Sequence, residues 1–283
     1  DVMRDTRYII LVLLSSLLML TGCSRRELLD DYPVSGVDIK LDWNGVTDKL
    51  PEGVRVIFYP KSAEGRKIDT YLSVRGGKVK VPPGRYSVVA YNYDTETVQI
   101  RGEEAYETIE AFTGYCNGLG IAGTEKMVWG PDPLYVVQIN DLHIANSEEE
   151  LLLDWKPKLV VKTYSFKIKV EGLEYVSSIV GSVEGMAGCY CLGRCCGMMN
   201  DAPIYFEAQG CSGEVTGSFT AFGLPEGAMS RASLAIKFTL AFVKVDNTVQ
   251  KIEVDITDVI VNSESGEGGG NDEPSKDIEL PLD

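Results

Sequence analysis

From Val37 onward the chain alternates between apolar and polar positions. Lys78-Val79-Lys80-Val81 sets an apolar side chain at every second residue, Pro82-Pro83-Gly84 turns, and Tyr86, Val88 and Ala90 resume the apolar face before Tyr91-Asn92-Tyr93. Proline presets φ and lacks a donor, and glycine accepts positive φ, so this segment predicts strand, turn, strand. Val54, Val56 and Phe58 predict another strand, Thr97 to Ile100 a short one, and Tyr135 to Ile139 one more after the breaks at Pro131 and Pro133. The acidic stretch Glu103 to Glu110 is expected to be a solvated face.

The second half alternates more cleanly. Tyr164, Phe166, Ile168 and Val170 point away from Ser165, Lys167 and Lys169, and Leu234, Ile236, Phe238, Leu240 and Phe242 repeat the pattern. Ile252, Val254 and Ile256 do the same against Glu253 and Asp255. A period of two held over five positions does not fit a helical stripe, which repeats near 3.6. Val245-Asp246-Asn247-Thr248 predicts a hairpin between the last two of these strands. After Asn262 the run SESGEGGGNDEPS is a flexible loop by composition, and Ile278 to Leu282 is expected to return as a short strand at a sheet edge. No long amphipathic helix interrupts these strands, and turn signals recur at sandwich spacing. The expected fold is all-β.

The beginning of the chain follows another pattern. Arg4 and Arg7 lead into thirteen uncharged, mostly aliphatic residues, Tyr8 to Leu20, and then Leu20-Thr21-Gly22-Cys23. The run fits the apolar core of a secretory signal and falls short of the roughly 20 residues that span a bilayer, which disfavours an uncleaved anchor helix. Slim side chains at Thr21 and Gly22 suit a peptidase that cuts before cysteine. Cys23 is therefore the expected lipidation site of a bacterial lipoprotein, carried outside the cytoplasm and tethered to a membrane. The expected organisation is a signal peptide at 1–22, a charged lipidated tether at 23–36, and β-sandwiches at 37–150 and 151–283, with the polar segment Asn146 to Lys158 at their junction.

Composition narrows the function classes. Hydrophobic residues at 44 % and aromatics at 9 % are enough to fill sizeable cores. A net charge of −15, with no basic run, sets nucleic-acid binding aside. The single histidine, His143, sits in Asp141-Leu142-His143-Ile144 with no nucleophile signature nearby, so no catalytic residue is assigned and an enzyme is not expected. Carboxylate pairs such as Glu103/Glu104 follow from an acidic composition. Gly118-Leu119-Gly120-Ile121-Ala122-Gly123 matches GxGxxG, but Pro131 and Pro133 cut short the helix that a dinucleotide site requires. Asn271-Asp272-Glu273 lacks the spaced ligands of a calcium loop. No cofactor is assigned.

Seven cysteines are present, and acylation of Cys23 leaves six in a compartment where disulfides form. Cys189-Tyr190-Cys191 followed by Cys195-Cys196 does not have the paired CxxC spacing of a metal site. In a strand Cys189 and Cys191 share a face, and a turn through Gly193 is expected to set Cys191 opposite Cys195, the candidate disulfide. Buried thiols acting as small hydrophobes, or a metal site, are the competing readings.

Several segments occur in an order that resembles one family: the cysteine motif at Cys23, Val81-Pro82-Pro83-Gly84-Arg85-Tyr86 leading to Ala90-Tyr91-Asn92, Val180 to Ala187, Phe219 to Gly223, and Asp255-Ile256-Thr257-Asp258. The chain resembles lipoproteins of about 300 residues related to fimbrillin-like and minor-fimbrium anchoring proteins of Gram-negative anaerobes. The resemblance implies two tandem transthyretin-like (immunoglobulin-like) antiparallel β-sandwiches and an outer-membrane lipid anchor at the cell surface. It also implies a role in fimbrial anchoring, assembly or adhesion, with fimbrial subunits as partners through strand addition at sandwich edges. The alternative is a glycan-binding surface lipoprotein, since exposed tyrosine rings stack on sugars. If Cys23 carries the lipid, Cys23→Ala should abolish radiolabelled palmitate incorporation and move the protein from the membrane to the soluble fraction; incorporation that persists refutes the assignment.

Overall fold

The computed structural model describes residues 35–47, 49–116, 126–199, 202–228, 234–265 and 275–279. The expected signal segment, Cys23, most of the expected tether, the glycine run 118–123 and the acidic triplet 271–273 lie outside the described residues. Strands dominate, arranged in sheets of eight, nine and four.

The eight-stranded sheet runs β11 (Leu151–Trp155), β1 (Ser35–Leu41), β4 (Gly76–Val81), β3 (Ile68–Ser73), β2 (Gly53–Pro60), β5 (Gly84–Asn92), β10 (Tyr135–Ile144) and β12 (Lys158–Leu159). β3 and β4 pair only at Ser73 and Gly76. The sheet therefore folds over at that corner and becomes a sandwich of β11-β1-β4 against β3-β2-β5-β10. Gly76 sits there at φ 97°, where a Cβ would strike the Ile39 carbonyl, so the corner requires glycine. Val37, Ile39, Val79 and Val81 meet Val54, Val56, Phe58 and Val88 across the interior. Leu151–Trp155 pairs parallel with β1, and Lys158–Leu159 pairs with β10. The first sheet thus continues past residue 150, through Leu159.

The nine-stranded sheet runs β20 (Val249–Asp255), β19 (Lys237–Lys244), β14 (Val176–Glu184), β17 (Ile204–Cys211), β18 (Glu214–Ala221), β13 (Lys162–Lys169) and β21 (Ser275–Glu279). It also includes β8 (Tyr115–Cys116) and β9 (Met127–Trp129). β17 and β18 pair only next to their shared turn, Ala208–Cys211 with Glu214–Gly217. At its other end β17 takes β9 as a parallel neighbour. The layers separate there and enclose the second core. Phe166, Phe206 and Phe238 meet in it with ring centroids 4.9–5.4 Å apart, and Phe219 lies 5.7 Å from Phe206.

The four-stranded sheet draws on both halves of the chain: β16 (Cys196–Met199), β15 (Ala187–Cys191), β7 (Glu110–Thr113) and β6 (Val98–Arg101). It packs on the outer face of the first sandwich. Ile57, Tyr59, Val89 and Tyr91 from β2 and β5 meet Ile109, Ala111, Ala187 and Leu192. The expectation of a solvated face at 103–110 is corrected here. Glu104 and Glu107 are exposed, but Tyr106 and Ile109 are buried in this third core. Two apolar side chains among the acids decide the segment's direction, because each gains by leaving water.

Between Thr257 and Ser265 a helix, α1, follows the last long strand. Thr257 donates its hydroxyl and its backbone N–H to Asp255, and Ile256 and Ile260, one turn apart, are buried in the second core. The alternation through Ile256 hides this switch of period. The hairpin at Val245 to Thr248 forms as expected, with Asn247 at φ 65°.

Phe238, 2 % exposed within the aromatic core, should cost about 3–5 kcal/mol when replaced by alanine. Tyr71→Ala, at a residue 60 % exposed, should change stability by no more than about 0.5 kcal/mol. Urea unfolding of both variants checks the assignment of interior and surface.

Candidate functional site

The feature with the chemistry of a docking edge is β21. After β20 the chain crosses through α1 and returns as β21, parallel to β13, with Thr163 opposite Ser275 and Lys167 opposite Glu279. The expected terminal strand is present but begins earlier, at Ser275, and residues 280–283 lie outside the described residues. Among the described residues β21 has β13 as its sole strand neighbour. A five-residue parallel pairing is less stable per residue than an antiparallel one. An edge of this kind offers a row of backbone donors and acceptors to an incoming strand.

The crossover into this edge is pinned at Glu264 on α1. The Tyr164 hydroxyl donates to its carboxylate at 2.9 Å, and Lys162 forms an ion pair with it. Burial first, then the carboxylate, hold the Tyr164 hydroxyl well above the ordinary phenol range. Lys162, Tyr164 and Glu264 thereby attach the end of α1 to the first residues of β13, where β21 begins.

The thiols gather elsewhere. Cys189 and Cys191 are buried on β15, Cys196 is half-buried on β16, and all six described cysteines are free. Hairpin register sets Cys191 opposite Cys196, and Cys189 opposite Met198. The expected opposition of Cys191 and Cys195 is corrected: the connecting turn uses Leu192, Gly193, Arg194 and Cys195, and Cys195 takes its left-handed position at φ 52°. The Cys195 Sγ points to the Leu192 carbonyl at 3.7 Å. Cys196 donates to Glu226 at 3.4 Å, and burial with that bond pushes its thiol up to about 11. Burial also raises Cys189, with Glu110 adding to it, to about 11. Among the described residues no three His, Cys, Asp or Glu side chains gather closely enough to hold a metal ion.

A polar cluster occupies the rim of the third core. Arg55 on β2 donates to Asp69 at 2.7 and 2.9 Å and to the Tyr91 hydroxyl at 2.9 Å, and it pairs with Glu103. The Asp69 bond leads the causes that hold its guanidinium above the usual range. Beside it Tyr71 and Tyr93, 60 % and 44 % exposed, meet edge to face with centroids 5.3 Å apart. No local sequence cluster signals this pair, which forms only when β3 and the end of β5 come together. His143 is exposed on β10, opposite Arg85.

Comparison with known proteins adds lineage to this geometry. Residues 22–207 match the family model described as Domain of unknown function (DUF5119). A Bacteroides ovatus protein provisionally named fimbrium anchoring subunit Fim4B is 59 % identical over 99 % of this chain and 89 % of its own length. A crystal structure of a provisionally classed adhesin from Bacteroides ovatus superposes with a TM-score of 0.78 at 56 % identity, covering 92 % of this chain and 94 % of that one. The fimbrial anchor protein Mfa2 of Porphyromonas gingivalis shares the fold at 11 % identity, with a TM-score of 0.53 over 87 % of this chain and 89 % of that one. Layered sheets, a pinned terminal edge and a family match over more than half the length converge: this chain belongs to the DUF5119 family.

Proposed function

We propose that this protein is a lipid-anchored subunit of the cell surface that ties a fimbrium, or a related adhesive assembly, to the outer membrane. The carrying observation is the 59 % identity, across 99 % of the chain, to a relative named as a fimbrium anchoring subunit. In this reading Cys23 is acylated and the tether ends where β1 begins at Ser35, two residues earlier than expected. Two sandwiches, divided around residue 150 with β11 and β12 as a crossover still paired to the first, form the body. The role is structural rather than catalytic. Fimbrial subunits dock by strand addition, and the β13–β21 edge supports this because a short parallel strand with one described neighbour is suited to leave β13 and be donated to a subunit.

A second reading, glycan binding at the surface, is favoured by one observation, the exposed Tyr71–Tyr93 pair beside Arg55 and Asp69. Flat rings flanked by charged hydrogen-bonding groups suit a sugar's apolar face and hydroxyls.

Affinity capture of the tagged chain from cells should recover fimbrial subunits, and deleting its gene should leave fimbriae shed or absent. Removing residues 275–283 should reduce the recovered subunits at least tenfold while the protein stays folded. Unchanged fimbriation on deletion, with no subunit recovered, refutes the anchoring role. For the second reading, a glycan array probed with residues 24–283 should give hits that Tyr71→Ala with Tyr93→Ala abolishes.

A further inference from the structure

We propose that Cys191 and Cys196 form a disulfide in the exported protein and clasp β15 to β16 at the edge of the small sheet. This rests on the extracytoplasmic reading of the N-terminus. The register makes the two residues direct cross-strand partners. Antiparallel partners lie about 4.5–5.5 Å apart at Cα, inside the roughly 4.4–6.8 Å that a disulfide spans. No other pair of described cysteines is joined by strand register: Cys189 faces Met198, and Cys116 and Cys211 sit on other strands.

The turn between them is held. Leu192 is fully buried and its N–H donates to Ile109 at 3.0 Å. Gln138 of the first sandwich donates to the Gly193 carbonyl at 3.0 Å. A Cβ on Gly193 would collide with the Tyr106 carbonyl, so this turn sits hard against the neighbouring loop. Both cysteines are therefore fixed in facing positions rather than carried on a free loop. Arg194 lies against Glu226 at 3.4 Å and the Met198 sulfur at 3.0 Å, and its charge acts on both Cys191 and Cys196.

The chemistry balances as thiol–disulfide exchange. Cys196, the more accessible thiol, loses its proton and attacks a disulfide on an oxidoreductase or a small molecule such as oxidised glutathione, releasing one thiolate. Cys191 then loses its proton and attacks the Cys196 sulfur, releasing the second. One S–S bond forms, one breaks, and the two electrons leave with the reduced oxidant. The bond secures β16, which otherwise pairs with β15 and touches Pro225 through a single bridge at Gly197.

The test alkylates the full-length protein from its own cell envelope under denaturing, non-reducing conditions, digests it with trypsin and maps it by mass spectrometry. Cleavage after Arg194 leaves a Cys191–Cys196 bridge as two linked peptides. A parallel arm incubates the purified reduced chain with oxidised glutathione at pH 8.5. The linked peptides in both arms support the proposal. A link in the purified arm alone supports the pairing and overturns the extracytoplasmic reading. Alkylation of both thiols in both arms, or a Cys195–Cys196 bond, overturns the pairing. Cys195→Ser should keep the link. Cys196→Ser, at a half-buried position, should lose it and lower the non-reduced Tm by about 5 °C, with no change under reductant.

Discussion

Burial of β2 and β5 on both faces is the constraint on which the molecule depends. From Tyr86 to Asn92 every residue of β5 is buried, and β2 is buried from Val56 to Tyr59. Val56, Phe58, Val88 and Ala90 fill the first sandwich, while Ile57, Tyr59, Val89 and Tyr91 face outward into a second apolar layer. Strands with two apolar faces cannot end at water. The small sheet meets that demand, and it can do so only with β6 and β7 from one half of the chain and β15 and β16 from the other. The chain from Ser35 onward accordingly clusters as one compact unit.

In the second sheet β13 is paired along eight residues with β18, and the aromatic core lies behind it. The small sheet joins the first sandwich through their shared core and through Gln138, which holds Tyr106 and the Gly193 turn together. The polar cluster at Arg55 reinforces the same seam, because Glu103 leads the loop that places Tyr106 and Ile109 inside. Here charged groups position apolar ones. Removing one partner would leave a half-buried charge uncompensated, which costs more than the contact itself contributes.

The terminal edge behaves differently. β21 is short and parallel, and α1 and Glu264 bring the chain to it from the opposite side of the core. The described attachment of this strand is its parallel backbone pairing with β13. This chain, 59 % identical to a relative named as a fimbrium anchoring subunit, thus has a packed seam in its middle and a strand with one described neighbour towards its end.

The amino-acid sequence alone determined the strands and the all-β class. Alternation through Tyr164, Phe166 and Ile168 or through Val79 and Val81 is a local property, and its period excludes a helix without reference to neighbours. It also marked Val245 to Thr248 as a hairpin, because turn chemistry is local. Which strands pair beyond that hairpin was not legible, since such pairing depends on residues far apart in the chain. Tyr106 and Ile109 read as part of an acidic surface until β5 presented a second apolar face to cover. The facing partner of Cys191 turned on one residue of turn length, set by Gly193 meeting the Tyr106 loop. Tyr71 and Tyr93 became a pair only through the neighbouring positions of β3 and β5 around β2. Periodicity follows from the covalent chain, whereas register, layer order and the meeting of distant side chains follow from how the apolar faces cover one another.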